Sequence, residues 1–152
     1  MIRLNSIETL LSDFEVLDDW EDRYRHVIEL GREVPAFEDS ARTPENKVRG
    51  CASQVWITSK QSGPVDNPVL TFSGDSDALI VKGLIAIAFM MYSDKPAREI
   101  IATNAGEVLG RLGLSGHLTQ QRSNGFASMI QRIRSDAQEA LQASSSAAIE
   151  GR

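Results

Sequence analysis

The segment Asn46-Lys47-Val48-Arg49-Gly50-Cys51-Ala52-Ser53-Gln54-Val55-Trp56-Ile57-Thr58 has at its centre the only cysteine of the chain. Gln54 to Thr58 has the β-branched and aromatic content of a strand, with Val55 and Ile57 on one face and Trp56 on the other. Gly50 lacks a Cβ and can turn the chain sharply before that strand begins. The thiol is therefore expected at a tight loop on the rim of a sheet. A single cysteine makes neither an intramolecular disulfide nor a cysteine-rich zinc or iron–sulfur site. Two readings follow from local chemistry. Free cysteine is commonly a small buried hydrophobe. A cysteine beside a glycine turn and a basic pair, Lys47 and Arg49, is instead a nucleophile candidate, because nearby positive charge favours thiolate.

Upstream of this segment, Asn5 and Glu8 form a capping pair for a first helix carrying Ile7, Leu10, Leu11 and Phe14 at helical spacing. Asp18 and Glu21 repeat the pattern for a second helix with an apolar face of Trp20, Tyr24, Val27 and Ile28, ending near Gly31. His26, about 200° around that helix from Tyr24, is expected to face solvent. Pro35 to Pro44 reads as a polar connection. Three strands are expected: a short one at Asn46–Val48, then Ser53–Ser59 and Val69–Ser73. Gln61 to Pro68 is rich in turn formers and too short for a crossover helix, so the last two strands should be antiparallel.

Downstream, Asp77 stands where a helix N-cap is wanted, and Ala78 to Met91 is apolar except for Lys82 and Gly83. This run is too short to cross a bilayer and reads as a central helix buried against the sheet. Asp75 and Asp77 are assigned to turn and cap chemistry rather than to a metal site. Lys82 is a helix-face charge, since no glycine-rich phosphate loop precedes it. Ser93 or Asp94 is expected to cap a short helix with Pro96 in its first turn, burying Ile100 and Ile101 and ending at Asn104. Another short helix spans Glu107 to Leu112. His117 falls in the loop after Gly113, where a histidine can hydrogen-bond backbone or activate a thiol. Ser123 caps a last helix that buries Phe126, Met129, Ile130, Ile133, Ala137 and Leu141.

This order of elements defines an α+β fold, a small antiparallel three-stranded sheet with helices packed on one face. The chain of 152 residues has the length of one domain with a real core. Residues 1–142 form that domain. Residues 143–152 read as a disordered tail or a linker left by an expression vector, because Ile149-Glu150-Gly151-Arg152 matches a commonly engineered protease site. A net charge of −5 argues against a general nucleic-acid partner. No secretion signal or membrane segment is visible, which together with a single reduced thiol points to the cytoplasm.

Three separated stretches carry a resemblance. They are Asn46 to Trp56; Gly74-Asp75-Ser76-Asp77-Ala78 with Ile80 to Ile85; and His117-Leu118 with Arg122-Ser123-Asn124-Gly125. In this order they resemble the SufE family, sulfur acceptors that work with cysteine desulfurases in iron–sulfur cluster assembly, and the resemblance covers Ile7 to Ala140. It implies a fold similar to that of the cluster-scaffold proteins. It also implies that Cys51 accepts persulfide sulfur from a cysteine desulfurase, stimulating that enzyme, and passes the sulfur to an iron–sulfur cluster scaffold. No cofactor is expected on this chain, pyridoxal phosphate belonging to the desulfurase. Asp77 is placed near the cysteine loop by the resemblance, and Gly50, Asp77, His117 and Arg122 are the candidates for shaping the site. One cysteine and two histidines far apart give no expectation of a bound metal. Two other classes compete. A cysteine hydrolase would pair Cys51 with His117 and need an oxyanion hole and a base-orienting group. A protein-interaction module would hold Cys51 inert.

Overall fold

Leu10 and Phe14 lie one helical turn apart on α1 (Ile7–Val16), and both are buried. The computed structural model describes residues 7–150, with side chains described through residue 143. The Asn5 cap expected for α1 lies outside the described residues. In α2 (Trp20–Arg32) the N-cap is Asp19 and not Asp18. Asp19 has the extended backbone required, φ −99° and ψ 134°, and its carboxylate accepts the Glu21 N–H at 3.0 Å. His26 is half-buried instead of facing solvent. Its Nε2 lies 3.3 Å from an Asp13 carboxylate oxygen and its ring packs edge-on to Phe14, because α1 covers the side of α2 that an isolated helix would leave open.

The central helix α3 (Leu79–Tyr92) buries Val81, Gly83 and every residue from Leu84 to Phe89. It crosses α2 at two glycines. A Cβ on Gly31 would stand 2.7 Å from the Gly83 nitrogen, and one on Gly83 would run into the Val27 carbonyl. Backbones this close leave no room for a side chain on either. Strands β1 (Val55–Ser62) and β2 (Val69–Ser76) pair antiparallel, from Val55 opposite Ser76 to Ser62 opposite Val69. Val55, Ile57, Leu70 and Phe72 share one face and are buried. That face is covered by α3 and by α6 (Gln120–Glu150), which buries Phe126, Met129, Ile133 and Ala137.

The sheet has three strands in the order β1-β2-β3, but the third differs from the one expected. It is β3 (Lys95–Pro96), paired with the outer edge of β2. The expected Asn46–Val48 strand makes a single bridge, Lys47 to Trp56, beside β1. Two residues carry no periodicity for a sequence to reveal, and a proline is accepted there because an edge strand need not donate its N–H.

Several caps fall on residues other than those expected. The Ser93 hydroxyl accepts the Phe72 N–H at 2.9 Å, and the Asp94 carboxylate accepts the Thr71 hydroxyl at 2.6 Å, so neither caps α4 (Ala97–Ala102). Asn67, from the β1–β2 connection, serves that helix by accepting the Arg98 N–H at 3.1 Å. Asn104 does not close α4 but caps α5 (Ala105–Leu112), accepting the Glu107 N–H at 3.2 Å. Thr119, not Ser123, caps α6, its hydroxyl accepting the Arg122 N–H at 3.2 Å. The α6 backbone continues to Glu150, past the change of composition after Gln142. Among the described residues no helix is long and apolar enough to cross a membrane.

Candidate functional site

Two backbone hydrogen bonds fix the approach to Cys51. Val48 N–H donates to the Val55 carbonyl and Ile57 N–H to the Asn46 carbonyl, both at 2.8 Å. The residues between Val48 and Val55 are thereby forced out as a loop at the end of β1. Gly50 turns that loop at φ +89°, and a Cβ there would lie 2.5 Å from the Ser128 hydroxyl oxygen of α6. The backbone angle therefore favours glycine, and any side chain here would also have to displace the Ser128 hydroxyl. The far end of the loop is held by Asp77. Its carboxylate accepts the Gln54 N–H at 3.0 Å, and its own N–H donates to the Gln54 carbonyl at 3.3 Å. Asp77 is consequently not the side-chain cap of α3, whose N-cap position is Ala78 and lacks a side-chain cap bond.

Cys51 is half-buried, and its thiol donates a weak hydrogen bond to the Gly125 carbonyl at 3.5 Å. A Cβ on Gly125 would sit 3.5 Å from the sulfur, so this glycine leaves α6 flush against the thiol. The sulfur borders a hollow of about 220 Å³ with Ile80, Val81, Leu84 and Met129 among its apolar walls and Thr119 and Arg122 among its polar ones. Arg122 is half-buried, and among the described residues its guanidinium has neither an ion pair nor a hydrogen bond.

Burial pushes the Cys51 thiol above its ordinary pKa, and no charged group offsets that effect. This corrects the expectation that Lys47 and Arg49 favour thiolate. Both side chains line a different groove, on the side of the loop that meets Ser128 and Gln131. The loop turns at Gly50, between the basic pair and the sulfur, and separates the two. His117 is likewise not brought to Cys51. Its ring stacks on Trp20 with centroids 3.6 Å apart and 15° between planes, and Nδ1 lies 3.2 Å from the Gly113 carbonyl. It is not part of the lining of the hollow. The hydrolase pairing is therefore without a direct hydrogen bond, the thiol being bonded to the Gly125 carbonyl and the His117 ring to Gly113.

Asp75 takes part in a structural ion cluster, its carboxylate 2.6 Å from Arg42 and 3.3 Å from Lys82. Arg42 also lies over the rings of Trp56 and Phe37. Lys82 thus has an ion-pair partner beyond the plain helix-face charge expected. Among the described residues, no three His, Cys, Asp or Glu side chains gather as a metal site would require. The partners missed from sequence were Gln54, Gly125 and Ser128. The one available signal was the i, i+3 spacing of Gly125 and Ser128, which puts both on the α6 face that meets the loop.

A lone half-buried thiol on a glycine-turned loop, bordering a hollow of mixed polar and apolar lining at the end of an antiparallel sheet, defines a thiol-bearing α+β domain. Residues 8–137 match the family model described as SufE: Fe-S metabolism associated domain. The chain belongs to the SufE family, which is associated with iron–sulfur metabolism. It is 54% identical over 132 residues to an uncharacterized SufE-like protein of Rhizobium etli, covering 87% of this chain and 89% of that one. A second uncharacterized SufE-like protein, from Rhizobium meliloti, is 49% identical over 140 residues, covering 92% of this chain and all of the relative. The fold is shared with the solution structure of a hypothetical protein from Thermus thermophilus. The TM-score is 0.71 at 17% identity, over 90% of this chain and 96% of the other.

Proposed function

We propose that this chain is a sulfur acceptor and carrier in iron–sulfur metabolism, with Cys51 as the reacting residue. The observation that carries the reading is the placement of the chain's single thiol on a loop held at both ends, facing a hollow, in a member of the SufE family. The Cys51 thiol loses its proton, and the thiolate attacks the outer sulfur of a persulfide borne by a cysteine desulfurase. A sulfur–sulfur bond forms to Cys51 as the partner's sulfur–sulfur bond breaks and its thiolate departs. Cys51 then holds the persulfide and yields its outer sulfur to a cluster scaffold by the same exchange. This chemistry needs an accessible thiolate at Cys51 and no triad on this chain. Pyridoxal phosphate is assigned to the desulfurase.

A resting thiol kept protonated and half covered suits a carrier, because an open persulfide is attacked by free thiols and oxidants. Contact with the partner must then uncover Cys51. Asp77, which ties the end of the loop, and Arg122, which lines the hollow, are the residues expected to influence this opening. Intact-mass measurement after incubation with desulfurase and cysteine tests the reading. Wild type should gain increments of about 32 Da per sulfur atom, the thiolate being the acceptor, and Cys51→Ser should gain none. An unmodified wild-type mass would overturn the proposal.

A further inference from the structure

We propose that the groove behind the Cys51 loop docks an acidic segment of the persulfide-bearing protein that donates sulfur to Cys51. The partner's identity rests on the function proposed above, whereas the groove's preference for acidic peptide does not. The groove, of about 350 Å³, runs between the Pro44–Arg49 stretch and α6. Lys47 and Arg49 are exposed on it and, among the described residues, have no ion pair. Most of the described arginines are instead engaged by carboxylates or by backbone carbonyls. Lys60, Arg98 and Arg122 also lack an ion pair among the described residues, but Lys47 and Arg49 are brought together on one groove, in a chain of net charge −5.

The groove's other residues suit carboxylates. Ser128, Gln131 and Ser135 bring hydroxyl and amide donors from successive turns of α6. Arg132 adds a third cation, although it is shared with Asp136 at 3.2 Å and the Ile57 carbonyl at 3.3 Å. Glu45 subtracts one charge from the lining, which leaves the balance positive. A nucleic-acid strand is a poorer occupant, since phosphate tracking needs a run of cations and the whole chain is acidic.

Position links this groove to the sulfur. Arg49 precedes Gly50, and Gly50 abuts Ser128, itself a groove residue. A ligand on the groove thus presses on one side of the loop whose other side bears Cys51. Opposite charges outside the desolvated centre of an interface act mainly by speeding encounter and fixing register. An acidic segment captured here would hold the partner's persulfide beside the thiol.

The test uses the full chain and an octaglutamate peptide as probe, followed by amide chemical-shift titration at low and high salt. Wild type should show shifts centred on Lys47, Arg49 and Ser128 that fade as salt is raised. Lys47→Glu with Arg49→Glu should weaken binding about tenfold or more, and Lys47→Gln with Arg49→Gln by a smaller factor. Lys60→Glu, at an exposed position of β1, should bind as wild type. Cys51→Ser should also bind as wild type, which separates failure of the groove from failure of the sulfur chemistry. Equal binding by wild type and the double reversal, shifts centred elsewhere, or stronger groove binding by a single-stranded oligonucleotide would each overturn the proposal.

Discussion

Asp77 and Gln54 exchange two hydrogen bonds, the Gln54 N–H donating to the Asp77 carboxylate at 3.0 Å and the Asp77 N–H to the Gln54 carbonyl at 3.3 Å. The start of α3 is thereby tied to the end of the cysteine loop. Only one of the two bonds uses a side chain, so substitution at Asp77 loosens the loop without removing its anchor altogether.

Asp77→Ala should therefore speed alkylation of Cys51 by a small neutral reagent while the fold persists, at a stability cost of about 1 kcal/mol for the lost hydrogen bond. Arg122→Ala should speed it as well, by removing a wall of the hollow. Rates are compared across pH, because a changed thiol pKa would mimic changed access. Wild-type rates and pH dependence in both variants would show that neither residue controls the loop.

Gly50→Ala should cost at least about 1–2 kcal/mol from the left-handed backbone alone, with the approach to the Ser128 hydroxyl added. Combining it with Ser128→Ala should recover the steric part and leave the backbone part. Urea denaturation measures both. A Gly50→Ala protein as stable as wild type would contradict the geometry of this turn.

The pH dependence of Cys51 follows from burial, which raises its pKa. The alkylation rate should climb with pH and inflect above the ordinary cysteine value of about 8.5. The folded state holds the thiol proton more tightly than the unfolded chain does. The associated stability is complete below the unfolded-state pKa and is lost as pH rises through the folded-state value. Cys51→Ser should remove that alkaline slope. An inflection at or below that of a free thiol would mean that positive charge, not burial, governs the site.

His117→Ala should leave sulfur uptake at Cys51 unchanged, since the ring stacks on Trp20. Its loss should cost about 0.5–1.5 kcal/mol beyond the area exposed, as for aromatic pairs generally. Mass gain measured alongside thermal unfolding separates the two effects. A variant that folds normally but takes up no sulfur would restore His117 to the chemistry.

Much of the architecture was legible because long periodic segments announce themselves. The apolar run ending at Met91 could only be a central helix, and Val55, Ile57, Leu70 and Phe72 alternate as one buried sheet face must. Caps were harder. Asp19 caps α2 in place of Asp18, and Thr119 caps α6 in place of Ser123, because neighbouring residues of equal capping chemistry compete and only backbone angle selects between them. β3 was invisible, being two residues that pair only because the chain returns to the edge of β2.

Residue types alone establish that Cys51 is the sole thiol, that a glycine turns the chain before it, and that a strand follows. Those features depend on residue type and near neighbours. Its surroundings were decided by tertiary contact. Lys47 and Arg49 lie within four residues of Cys51, yet they open onto another groove because the chain turns at Gly50 against Ser128. Gly125, more than seventy residues away, supplies the thiol's hydrogen-bond acceptor. The protonation state of a cysteine depends on distance through space and on loss of solvent, and neither is set by separation along the chain.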